Sequence, residues 1–122
     1  MKLRPGDPVR NDIIPAKTDM RRIGFVIHPD FQFLDVIGPT AAFEIATRFV
    51  PGAYSVAVMA PGGGSVVSSA GLELAAGELA AEGLDTIIVS GGQLVTDMQA
   101  FHAVVAWLRT VRPRRLASVC SG

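Results

Sequence analysis

The 122-residue chain has a single cysteine, Cys120, so it can form no internal disulfide, and a lone thiol fits a reducing compartment. Eleven basic residues are balanced by eleven acidic ones. There is thus no global field to attract nucleic acid, and direct DNA binding by this segment is not expected. No run reaches the ~18 apolar residues that a membrane span requires. The first 22 residues are basic but hold no apolar stretch of the kind found in a secretory signal, which leaves the cytoplasm as the default location. His28 has no partner at metal-ligand spacing, and neither a metal site nor a cofactor motif is expected. The triple glycine 62–64 precedes a strand-like run instead of a helix, so it reads as a turn and not as a phosphate cradle. Internal repeats are absent too.

What is present is a folded domain. Apolar residues make up 49% of the chain and charged residues 18%, enough for one core. Residues 1–21, with Pro5, Gly6, Pro8 and Pro15 among scattered charges, read as a flexible leader, and the domain spans 22–122. Ile23-Gly24-Phe25-Val26-Ile27 suits a strand buried on both faces. A loop follows over 28–34. Gly38-Pro39 marks a helix start, with Ala42, Phe43, Ile45, Ala46 and Phe49 on its apolar side and Pro51-Gly52 as its stop. Tyr54 to Ala60 is a second strand. Val66 to Ser69 and Leu72 to Ala75 form a short hairpin about Ala70-Gly71, and 77–84 is a connector. Thr86-Ile87-Ile88-Val89 is the next buried strand. A helix then starts at Thr96, with Gln99 completing a capping box and Asp97 favouring the dipole; Phe101, Val104, Val105, Leu108 and Val111 share its apolar face, and Pro113 ends it. Leu116 to Val119 is the last strand.

This alternation predicts an α/β fold, a mostly parallel sheet with helices on both faces. Ligands in such sheets bind beyond the carboxyl ends of the strands. The loop 28–38, the pair Gly91-Gly92 and Cys120 all fall there.

Cys120 ends an apolar run, as a nucleophile does at a strand-to-helix elbow; the alternative is a small residue that fills space. Asp35 stands among Phe31, Phe33, Leu34, Val36 and Ile37. Desolvation there would raise its pKa and suit it to proton transfer, whereas a plain capping role is the competing reading. Gly91 and Gly92 offer backbone N–H groups that can approach a ligand, or else make an ordinary turn. Trp107 and the phenylalanines read as packing. Arg109, Arg112, Arg114 and Arg115 complement a helix end, His102 faces solvent, and Glu44 is an exposed helix former.

Taken together, Ile23-Gly24-Phe25-Val26-Ile27, Pro29-Asp30-Phe31-Gln32-Phe33-Leu34-Asp35-Val36-Ile37-Gly38-Pro39, Asp85-Thr86-Ile87-Ile88-Val89-Ser90-Gly91-Gly92 and Ala117-Ser118-Val119-Cys120-Ser121-Gly122 resemble the DJ-1/PfpI superfamily. The likeness is greatest to the branch at the N-terminus of AraC-type transcriptional regulators, and to isocyanide hydratases. It implies a flavodoxin-like three-layer α/β sandwich, usually dimeric, that stops after the nucleophile-elbow strand in this chain. Cys120 matches the nucleophile position, Asp35 the acid that hydrogen-bonds the thiol, and Gly92 a backbone donor near it. The implied function is a ligand-sensing domain that binds a small molecule and meets DNA only through a C-terminal domain not in this sequence. The alternatives are a cysteine-dependent hydratase or amide hydrolase, and an inactive fragment.

Overall fold

The computed structural model describes residue 5 and residues 19–92 and 97–122. The leader expected over 1–21 therefore lies outside the described residues, save Pro5 and its last three positions, and Arg21 already belongs to the first strand. The elements run β1 (Arg21–Val26), α1 (Phe33–Phe49), β2 (Tyr54–Ala60), β3 (Gly64–Val67), β4 (Glu73–Glu78), β5 (Leu84–Val89), α2 (Met98–Leu108) and β6 (Arg115–Ser118). They build a six-stranded sheet in the order β3-β4-β2-β1-β5-β6. Every pairing is parallel except β3 with β4.

Strand β1 is central and covered on both faces, as its unbroken apolar run requires. Alternate side chains feed two cores. Ile23, Phe25 and Ile27 pack with Val36 and Phe43 of α1, while Val26 joins Met59, Ile87 and, from α2, Val104 and Trp107. The two helices thus cover opposite faces of the sheet. Gly24 lets the second core close: a Cβ there would lie 2.7 Å from Met59 Cε and 3.1 Å from Leu84.

Helix α1 begins at Phe33, five residues before the Gly38-Pro39 signal, so the expected loop is shorter and Pro39 lies inside the helix. Proline within a helix costs ~3 kcal/mol or more, here through the missing hydrogen bond to the Asp35 carbonyl. Glycine at 38 has no Cβ to press on the proline ring. Burial compensates: Val36 is fully buried, which contributes about 1.5–3 kcal/mol, and half-buried Phe33 packs on Phe31.

The inward stripe of α1 also differs from the one expected. It comprises Val36, Thr40, Phe43 and Thr47, with the two threonines and Phe43 lying beside Tyr54 and Val56 of β2. Phe49 is 83% exposed and Ile45 is exposed too. Two hydroxyl residues hid this face from a purely apolar count. Thr47 is compatible with it because its Oγ1 donates to the Phe43 carbonyl at 2.8 Å.

The hairpin forms, but β4 is displaced along the chain: Val66 pairs with Leu74, and Gly77 and Glu78, expected in a connector, pair with Met59 and Ala60 of β2. Buried Ser68 shapes the loop by accepting from the N–H groups of Ala70 and Leu72. Thr96 lies outside the described residues. The cap of α2 is Asp97, whose Oδ1 accepts from the Ala100 N–H at 3.0 Å. The helix ends at Leu108, short of Pro113, so on its apolar face Val104 is buried and Phe101 is 42% exposed, while Val111 is buried from beyond the helix end.

Candidate functional site

Strands β1 and β5 are neighbours, yet the connection from β1 runs through α1 to one side of the sheet and that from β5 through α2 to the other. Their carboxyl ends flank a topological switch point, where open parallel sheets bind ligands. β6 lies beside β5, so the segments after β1, β5 and β6 meet at one rim.

Cys120 follows β6 by two residues and is solvent-exposed. Its φ is +56°, a left-handed conformation that costs a non-glycine residue about 1–2 kcal/mol. Only a locally over-determined backbone holds such a residue. Two hydrogen bonds supply part of that constraint: Val119 N–H to the Val89 carbonyl, and Gly122 N–H to the Val119 carbonyl, each 3.0 Å.

Asp35 sits in the first turn of α1 but does not cap it. Its Oδ2 instead accepts from the Gly91 N–H at 3.0 Å, across to the end of β5. The capping alternative therefore gives way to a tertiary contact. Gly91 is also where the acid and the thiol residue converge. A Cβ on Gly91 would lie 2.9 Å from Asp35 Oδ2, 2.9 Å from Cys120 Cβ and 2.9 Å from Ser121 N. The carboxylate and the cysteine are thus separated by no more than twice that distance. Glycine is needed here because the backbone itself fills the gap between them.

Gly92 is held by a different set of contacts. Phe31 bridges to it, and the Gln32 N–H donates to the Gly91 carbonyl at 2.8 Å, tying the loop after β1 to the loop after β5. The Gly92 N–H points to Ser121 Oγ at 3.4 Å, and the same hydroxyl donates to the Gly92 carbonyl at 3.0 Å. Both glycine N–H groups proposed for ligand contact are thus directed at side-chain oxygens of the protein.

Two further residues join the rim. His28 Nδ1 lies 3.0 Å from the Pro29 carbonyl oxygen and Nε2 3.4 Å from that of Ser90, so whichever nitrogen carries the proton donates to a carbonyl. Its position at the end of a strand was the only sequence signal for it. Ser121 carried no signal of its own beyond following the cysteine. Asp30 has a φ of +64°, and its N–H donates to Val67 of β3, which brings the hairpin up to the rim.

A groove of about 350 Å³ opens next to the rim on the α2 side of the sheet. Phe101, Val104, Val105 and Leu108 form one wall, Leu116 and Ala117 of β6 the other, and His28, Ser90 and Ser121 its polar end. Leu116 is 59% exposed. Cys120 and Asp35 do not line this groove, so the acid–cysteine pair and the apolar volume are adjacent and distinct. Among the described residues no group of histidine, cysteine, aspartate and glutamate is placed to hold a metal ion, and no helix is long and apolar enough to cross a membrane.

At the opposite end of the strands, Thr86 Oγ1 donates to Asp85 Oδ2 at 2.7 Å, and Arg114 Nε donates to Asp85 Oδ1 at 2.8 Å. The Thr86 bond first, and then the Arg114 guanidinium, hold the Asp85 carboxyl below its ordinary range.

The sequence matches no protein-family model and no curated protein. Solved structures do match in shape. An AraC family transcriptional regulator from Pseudomonas putida aligns at a TM-score of 0.60 and 19% identity, over 82% of this chain and 81% of that one. A ThiJ/PfpI family protein from Pseudomonas syringae aligns at 0.69 and 20% identity, over 98% of this chain and 50% of its own length. A DJ-1 superfamily protein from Agrobacterium tumefaciens aligns at 0.61 and 23% identity, over 83% of this chain and 54% of its own. The chain thus spans about half the length of the last two. Sheet order, crossovers and these superpositions agree: the chain has the α/β, flavodoxin-like fold of the DJ-1/ThiJ/PfpI proteins.

Proposed function

We propose that this chain is a ligand-sensing domain of a transcriptional regulator, binding a small molecule at the rim where Asp35 and Cys120 meet. The convergence of an acid and a strained, exposed cysteine on Gly91 carries the reading. Likeness in fold to an AraC family regulator supports it. Zero net charge argues that DNA is read by a separate domain, with this one biasing the regulator between two states through differential ligand affinity. A homodimer is the natural vehicle for such a bias. Leu34, Ile37, Ile45 and Phe49, all exposed and all on one side of α1, offer a surface for self-association.

The cysteine hydratase or amide hydrolase is the second reading. It is favoured by the left-handed conformation of Cys120, which resembles that of an activated nucleophile. One experiment separates the two. Small nitrogenous compounds, isocyanides and amides among them, are assayed for protection of Cys120 against iodoacetamide and for their own consumption. A compound that shields the thiol and is recovered intact supports the sensor. Turnover that disappears in Cys120→Ser establishes the enzyme and overturns the sensor. The absence of both protection and turnover across the panel also counts against the sensor.

A further inference from the structure

The Ser121 hydroxyl links the elbow to the Gly91-Gly92 segment that receives Asp35. It accepts from the Gly92 N–H at 3.4 Å and donates to the Gly92 carbonyl at 3.0 Å. A group that does both to one residue must be donor and acceptor at once, which a hydroxyl is. The adjoining Gly91 N–H donates to Asp35 Oδ2. A continuous path therefore runs from Cys120 through Ser121, Gly92 and Gly91 to the Asp35 carboxylate. The other constraints on the elbow described above are backbone bonds within the β5–β6 end of the sheet, and neither refers the cysteine to α1.

We infer that Ser121 is a positioning residue: its hydroxyl clasps Gly92 and so sets where the Cys120 sulfur stands relative to Asp35. This rests on the reading that Cys120 and Asp35 act at one site. Ser121 itself is exposed and fills no core, so removing its hydroxyl perturbs the clasp with little effect on packing. Threonine retains the donor-acceptor pair, whereas valine has threonine's shape without it.

The test is the second-order rate of Cys120 alkylation by iodoacetamide, in which the sulfur displaces iodide and forms the carbon–sulfur bond. It is measured in the wild type, Ser121→Ala, Ser121→Thr, Ser121→Val and Asp35→Asn, and in the double variant Ser121→Val with Asp35→Asn. Melting temperatures check folding, and the isosteric Thr and Val pair keeps the comparison valid if the alanine variant unfolds. Ser121→Val should change the rate at least threefold, Ser121→Thr should stay within twofold of wild type, and Ser121→Val should change little once Asp35 is already asparagine. Equal rates in Ser121→Thr and Ser121→Val overturn the inference, as does a Ser121→Val effect of the same size in both backgrounds, since a merely structural role gives that additivity. If Asp35→Asn alone leaves the rate untouched, the site reading fails. If only Ser121→Val does, the clasp alone is refuted.

Discussion

Gly91→Ala is the sharpest perturbation of the rim. Gly91 does not have a left-handed φ, so alanine is conformationally acceptable and the effect comes from space alone. The added methyl would sit 2.9 Å from Asp35 Oδ2, Cys120 Cβ and Ser121 N together, where ordinary contact begins at 3.4 Å. Relief requires all three to retreat. Ser121 N and Cys120 Cβ belong to the elbow backbone, so the elbow must shift, while Asp35 can swing only by giving up its bond to the Gly91 N–H. Overpacking of this kind costs about 1–3 kcal/mol. For a domain near this size each kcal/mol moves the melting temperature by roughly 4–8 °C.

The expected outcome is a fall of ~5 °C or more in melting temperature, set by the overpacking cost above, together with a changed rate of Cys120 alkylation. Gly77→Ala is the control. Gly77 also has an ordinary φ, and its nearest neighbour is the Val58 carbonyl oxygen at 3.8 Å, so alanine fits. By reducing the freedom of the unfolded chain it should stabilise by about 0.4–1 kcal/mol. A Gly91→Ala protein as stable as wild type, with the same thiol reactivity, would show that acid and cysteine do not share this gap.

The left-handed conformation of Cys120 predicts an ordering of two thiol-free variants: Cys120→Gly should exceed Cys120→Ala in urea stability by about 1 kcal/mol, because glycine adopts that conformation without the side-chain penalty. Equal midpoints would remove the strain. Asp85 gives a pH signature. Its carboxyl is held below its ordinary value of 3.8, so the unfolded chain takes up a proton first as pH falls. The stabilisation is full above the unfolded value and is lost as pH drops through the folded one. Asp85→Asn should therefore flatten the acid limb of stability below about pH 4 and reduce stability at pH 7 by no more than ~1 kcal/mol, since Arg114 is half exposed. An unaltered acid limb in guanidinium titrations would refute the assignment.

Strand content was legible because burial on both faces leaves unbroken apolar runs. Ile23 to Ile27 and Thr86 to Val89 fall inside or next to two neighbouring interior strands, β1 and β5. The convergence of the loop after β1, the Gly91-Gly92 pair and Cys120 also followed from topology, since parallel strands place their carboxyl ends on one edge. The beginning of α1 was not legible. Gly38-Pro39 is a strong local signal for a first turn, and tertiary burial of Phe33 and Val36 overrides it. The inward stripe of α1 was obscured for a related reason. Thr40 and Thr47 count as polar in a sequence pattern, yet Thr47 satisfies its hydroxyl within its own helix. Ser121 and His28 gave no periodic pattern because their polar contacts are to backbone groups, both polar groups of Gly92 for Ser121 and the Pro29 and Ser90 carbonyls for His28, and such contacts have no period.

The early start of α1 also bears on the site. A helix beginning at Gly38 would leave Asp35 in a loop, with its carboxylate free to choose among partners. Beginning at Phe33, the helix carries Asp35 in its first turn, and the packing of Val36 and Phe43 into the first core fixes the direction in which the carboxylate points. Pro39 removes one helical hydrogen bond from that turn, at the Asp35 carbonyl itself. The acid is thus held by side-chain packing and by the Gly91 N–H more than by its own helix. Cys120 is likewise held by its neighbours in a conformation it would not choose. Both members of the pair owe their placement to tertiary contacts, so a ligand that alters the spacing at Gly91 would be felt in α1 and in the elbow together.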